Sequence, residues 1–151
     1  MLQSVAMKVD AVLPIVWRIS LSRPPAEVFA LLDTDAGRER FWAERSRTLD
    51  ERRFELTFGF GPVGVVEVLE RRAPERLRIL YFGADCDLRL EPDGEGTILT
   101  VVCDCRDPAE WADFHAGWVS WLLVLKGVAE YGVDLRDGRP GRGWNNRFVD
   151  Q

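Results

Sequence analysis

The chain is predicted to be an α+β domain in which a curved antiparallel sheet of about six or seven strands wraps around one long C-terminal helix. Three observations predict it. Over residues 108–131, Trp111, Phe114, Trp118, Trp121, Leu122, Leu125, Val128 and Ala129 recur at spacings of three and four, which gathers them on one helical face. From about residue 15 to 105 the period is two, in short runs separated by turn-forming residues. Between the first such run and the others lie two short helical patterns. A face so rich in rings must be covered, because a Trp or Phe removes roughly 150–250 Å² from water when buried. A sheet that closes incompletely over those rings leaves a hollow beside them.

Taken in order, residues 16–22 alternate and lead into Arg23-Pro24-Pro25, where Ser22 is placed to cap a helix carrying proline in its first turn. That helix, residues 26–33, turns Val28, Phe29, Leu31 and Leu32 to the core. A second helical piece runs from Asp35 to about Glu44 and ends with Phe41-Trp42. Residues 54–58 then alternate cleanly, Gly59 to Gly64 supply a turn, and residues 65–70 form the next strand. Ala73-Pro74-Glu75 is a turn before residues 76–82, whose Leu77, Ile79 and Tyr81 share a face. The next pair of strands carries its own register. Pro92-Asp93-Gly94-Glu95-Gly96 is rich in turn formers, and setting Pro92 opposite Thr97 pairs Leu90 with Leu99, Leu88 with Val101 and Cys86 with Cys103. All six then face inward, while Asp87, Arg89 and Glu91 face water. Gly132 suits the C-cap of the long helix.

The 151 residues are expected to form a single domain, 1–151, with its core at about 15–132 and a tail at 133–151. The tail is read as lying on the surface, anchored by Trp144 and Phe148, or as the contact with a second copy in a homodimer. A net charge of −5 argues against a nucleic-acid partner, which phosphate neutralisation would require to be basic. The cluster Arg38, Arg40, Arg45, Arg47, Arg52 and Arg53 is interleaved with Glu39, Glu44, Asp50 and Glu51, and reads as a solvated, salt-bridged surface. Residues 11–17 are apolar but short and interrupted by Pro14, so they are read as the entry to the first strand and not as a signal peptide. No apolar run approaches the roughly 20 residues of a membrane span. The expectation is a soluble cytoplasmic protein with no membrane partner and with its three cysteines reduced.

Signals of chemistry are few. Residues 59–66 match G-x-G-x-x-G-x-V literally, but a strand follows them where a nucleotide site needs a helix, so the glycines are read as shaping a hairpin. Cys86, Cys103, Cys105 and His115 lack metal-site spacing. No metal or other cofactor is expected, and the cysteines are read as small buried residues lining the hollow, with a Cys86–Cys103 bridge permitted by the register. His115, the single histidine, is the first place to look for acid–base chemistry near neutral pH. Tyr81 is the other polar candidate on the inward phase; the phase of Glu67 is ambiguous.

Pro25-Ala26-Glu27-Val28-Phe29-Ala30-Leu31-Leu32 ahead of Phe41-Trp42, Gly64-Val65-Val66-Glu67-Val68, Gly96-Thr97-Ile98-Leu99-Thr100-Val101 and Gly117-Trp118-Val119-Ser120-Trp121-Leu122-Leu123 together carry a likeness. In these residues the chain resembles the START-like (SRPBCC) superfamily, and within it the family of homologues of the activator of the heat-shock-ninety ATPase. The resemblance implies the helix-grip fold over roughly residues 16–131 and a cavity between sheet and long helix, used across the superfamily for lipids, hormones or polyketides. It transfers no catalytic residue. The chain departs from the family after the second helix, where Phe41-Trp42 runs into Ala43-Glu44-Arg45 instead of a polar, proline-containing segment. The expected site is a hollow lined by Trp42, Phe58, Tyr81, Leu88, Val101, Cys103, Phe114, Trp118 and Trp121, taking a small hydrophobic, apolar or lipid-like molecule. Two other readings stand beside it: an enzyme of the polyketide cyclase type with Tyr81 or His115 as proton donor, and a domain that modulates a chaperone ATPase.

Overall fold

The structure, a computed structural model, describes residues 13–59 and 63–136. Its elements run β1 (Ile15–Leu21), α1 (Pro25–Asp33), α2 (Asp35–Phe41), β2 (Arg45–Asp50), β3 (Arg53–Thr57), β4 (Gly64–Arg72), β5 (Arg76–Tyr81), β6 (Ala84–Asp93), β7 (Gly96–Asp104) and α3 (Pro108–Tyr131). The strands form one antiparallel sheet in the order β1-β7-β6-β5-β4-β3-β2. The chain goes out to one edge, crosses through the two short helices, and meanders back. This is the helix-grip arrangement, an open seven-stranded sheet curled around α3.

The concave side of the sheet is the core. Ile15 and Leu21 on β1, Phe54 and Leu56 on β3, Val66 and Val68 on β4, Leu77 and Ile79 on β5, Cys86 and Leu88 on β6, and Leu99, Val101 and Cys103 on β7 are all buried. They meet Trp118, Trp121, Leu122 and Leu125 from α3. The β6–β7 register is the one the turn chemistry implies, with Leu90 opposite Leu99, Leu88 opposite Val101 and Cys86 opposite Cys103. On the convex side, alternation leaves charges to pair across strands: Arg76 donates to both oxygens of Asp87 at 2.9 Å, and Arg89 donates to Asp87 at 3.0 Å.

α3 occupies the predicted span. Asp107 accepts from the Ala109 backbone N–H at its start, and Gly132 closes it at φ 65°, a left-handed conformation that suits glycine. Other expectations are corrected. Ser22 does not cap α1. The helix begins at Pro25, so Pro24 occupies the N-cap, and the Ser22 backbone N–H instead donates to Glu130. α2 ends at Phe41, not near Glu44, because the chain from Arg45 onward joins the sheet as β2 beside β3.

Arg38 corrects the reading of the arginine cluster, since it is 1% exposed. Its guanidinium lies 3.8 Å from the centre of the Phe54 ring and donates to Leu32 O, Ser46 Oγ and Asp35 Oδ1. A buried charge is tolerable only when its donors are met, and these are met by three successive elements. Arg45, Arg47, Arg52 and Arg53 are exposed, as expected. Glu67 is also exposed, on the convex side.

Among the described residues no helix is long and apolar enough to cross a membrane. Trp144, Phe148 and the middle of the glycine-rich segment, residues 60–62, lie outside the described residues; the ends of that segment join β3 and β4 as a hairpin.

Candidate functional site

The expected lining residues come together around α3, at two levels. Trp42, Leu88, Val101 and Cys103 are each 0% exposed, and Trp118 and Trp121 are nearly so. Phe58, Tyr81 and Phe114 are half-buried and pack against that core. The aromatic members touch in sequence: Trp42 and Trp121 at 5.2 Å between ring centres, Trp121 and Trp118 at 4.9 Å, Trp118 and Tyr81 at 5.9 Å, and Tyr81 and Trp42 at 5.6 Å. The four rings form a closed circuit. Most contacts are edge-to-face, the geometry that aligns ring edges with neighbouring faces.

The polar atoms of this cluster are unusual. The Trp42 indole N–H donates to the Tyr81 hydroxyl at 3.2 Å, so the phenol oxygen is already engaged as an acceptor. Among the described residues no acceptor takes the Tyr81 O–H hydrogen. Burial raises the Tyr81 pKa well above the ordinary phenol value, against the pull of Trp42, so the group stays a neutral donor. The indole nitrogens of Trp17, Trp118 and Trp121 are buried with no hydrogen-bond partner. Leaving such a donor unmet costs on the order of 1–3 kcal/mol each, and native interiors rarely do so.

A cleft touches this cluster at one of its members, Tyr81. The β4–β5 ladder stops at the pair Glu67–Leu80, so the start of β4 and the segment from Tyr81 to Gly83 diverge. Between them lies this cleft, of about 380 Å³, lined by Leu56, Val66, Leu80, Tyr81 and Phe82 and bordered by Arg53 and Glu67. Phe82, at φ 46° and 53% exposed, turns its ring against Gly64 and Tyr81. Positive φ is rare for a bulky residue, so the turn holds this ring in place at a conformational cost. A larger cleft of about 580 Å³ lies between α1, α2 and the end of α3. It contains none of the expected lining residues and is bordered by Arg23, Glu27 and Arg40.

His115 is not near the Tyr81 end. Its ring is stacked on Trp111 at 4.8 Å and tilted against Trp17 at 4.8 Å, which makes it part of an aromatic stack between α3 and β1. Among the described residues no group of three or more His, Cys, Asp or Glu is placed to hold a metal ion. Two participants escaped the sequence reading. Trp17 was findable, because it shares the inward phase of Ile15 and Ile19; Phe82 was not, because its position follows from a turn and not from a period.

Neither a family model nor a curated protein sequence matches the chain. Solved structures do. A protein from Staphylococcus saprophyticus is similar at TM-score 0.74 and 18% identity, over 82% of this chain and 96% of that one. The Aha1 dimer from Colwellia psychrerythraea is similar at 0.72 and 18%, over 80% and 98%. DynU16, a protein of the dynemicin biosynthetic locus, is similar at 0.71 and 22%, over 82% of this chain and 49% of that one. At such identities the likeness is one of fold, the helix-grip arrangement described above.

Proposed function

We propose that this helix-grip domain binds one small, largely apolar molecule that carries hydrogen-bond acceptors, held between the sheet and α3 by Trp42, Phe58, Tyr81, Leu88, Val101, Cys103, Phe114, Trp118 and Trp121. The observation that supports this reading is the set of donors left open in an oily interior: the Tyr81 O–H and the indole N–H groups of Trp118 and Trp121. Apolar walls supply affinity by releasing water, and a few fixed donors supply orientation. Lipid-like ligands fit this description through a carbonyl or carboxyl end; so do aromatic ketones and quinones.

The test is tryptophan quenching and native mass spectrometry with a panel of ketones, quinones, fatty acids and acceptor-free hydrocarbons. At least one acceptor-bearing compound binds specifically, and Tyr81→Phe weakens it roughly three- to tenfold, the worth of one neutral hydrogen bond. Uniformly weak binding across the panel, or equal binding of the hydrocarbons, overturns the reading.

A second reading, an enzyme of the cyclase type, draws on the Trp42–Tyr81 pair. A phenol whose oxygen accepts an indole N–H is polarised toward donating its own hydrogen, which suits stabilisation of an enolate oxygen. Turnover of a bound polyketide-like ketone that is abolished by Tyr81→Phe, with binding retained, would distinguish it. Chaperone modulation draws on the Aha1 likeness alone. The assembly state we propose to test, by light scattering, is a homodimer.

A further inference from the structure

Two strands of the core bring sulfur against sulfur. Cys86 and Cys103 sit directly opposite each other on β6 and β7, and both are fully buried. Their Sγ atoms are 2.8 Å apart, closer than unbonded sulfurs rest in van der Waals contact. From there a disulfide requires about 0.75 Å of further approach. Flanking strands on both sides, β5 and β7's partner β1, hold the backbones in register, so no other cysteine competes for the position. Cys105, two residues on, directs its sulfur to Asp107 O at 3.8 Å.

We infer that Cys86 and Cys103 form a peroxide-sensitive dithiol, a modification site in the buried core of the sheet that a hydroperoxide closes to a cross-strand disulfide. This goes beyond the ligand-binding reading and does not depend on it. The hydrogen bond between the two sulfurs, in which either can be the donor, pulls the Cys103 thiol below its ordinary value against burial; the same bond and burial push Cys86 up. Either sulfur can supply the thiolate that attacks, and the other keeps its proton until the second step.

Taking Cys103 as the thiolate, it attacks one oxygen of hydrogen peroxide, the O–O bond breaks, and a sulfenic acid forms as hydroxide leaves and takes up a proton to become water. The Cys86 sulfur then attacks the Cys103 sulfur. The S–S bond forms, the S–O bond breaks, and the hydroxyl departs as water with the Cys86 proton. One peroxide is reduced by two electrons and two thiols are oxidised. Both sulfurs are fully buried, so a molecule of that size reaches the pair only when the fold opens locally.

The full chain is treated with hydrogen peroxide, quenched with catalase, unfolded, alkylated and weighed intact. Three free thiols label before treatment. After it, labelling falls to one, with a loss of about 2 Da that reductant reverses. Cys105→Ala still closes the bridge, whereas Cys86→Ala and Cys103→Ala do not. Full labelling after treatment, a bridge that includes Cys105 or joins two chains, or a gain of oxygen without loss of hydrogen in the wild type overturns the inference. Because the measurement reads mass and not ligand occupancy, it stands even if the panel above yields no binder.

Discussion

Asp35 shows how one carboxylate can tie several elements together. Burial would raise its pKa, but hydrogen bonds from Ser46, the Thr48 backbone, Arg38 and the Thr48 hydroxyl lower it to about 2. A lowered carboxylate stabilises the fold above its unfolded value of 3.8, and that stabilisation is lost as pH falls from there toward about 2. The side chain is 37% exposed, so solvent screening reduces the contribution to on the order of 1 kcal/mol. Urea unfolding of the wild type should lose that much between pH 4 and pH 2, and Asp35→Asn should lose less. Equal slopes would mean that the carboxylate does not titrate with the fold. Residue types alone predicted none of this. In sequence, Asp35 is one more acid at a helix start, and Arg38 one more member of a basic cluster; burial distinguished Arg38 from its neighbours because the α2–β2 connection folds back over Phe54.

At the scale of elements, the two short helices depend on close approach. Thr34 accepts from the Gly37 N–H and donates to Ala30 O, so α1 passes directly into α2. A methyl group on Gly37 would press into Ala30 O and Leu31 Cα, both backbone atoms that cannot yield. Gly37→Ala should cost about 3 kcal/mol and lower the midpoint of thermal unfolding by roughly 6–12 °C, measured by circular dichroism. The C-cap behaves differently. Nothing crowds a Cβ at Gly132, but its φ of 65° strains any L side chain. Gly132→Ala should therefore cost only about 1 kcal/mol, and Gly132→Asn less. If the two glycine variants proved equally harmful, crowding would not be what separates them. The long helix and the β6–β7 register were legible because each repeats one local pattern many times. β2 was not, since its exposed arginines and half-buried Ser46 and Leu49 present no apolar period.

Across the whole molecule, stability should decline outward from the sheet's centre. β6 and β7 are each flanked on both sides and lie beneath buried residues of α3, whereas β2 pairs only with β3. Amide exchange should be slowest in β6 and β7 and fastest in β2. Faster exchange at Cys86 and Cys103 than at Arg47 would contradict the assignment of the core.

The sequence by itself determined the α+β class, the ring-bearing face of α3 and the inward phase of most strands, because periodicity is a local property that neighbouring residues impose on each other. Only the tertiary structure decided which indole N–H groups go unmet, where β4 and β5 part, and how nearly two sulfurs touch. Those depend on distances between residues far apart in the chain, and such distances exist only after the sheet has curled around the helix.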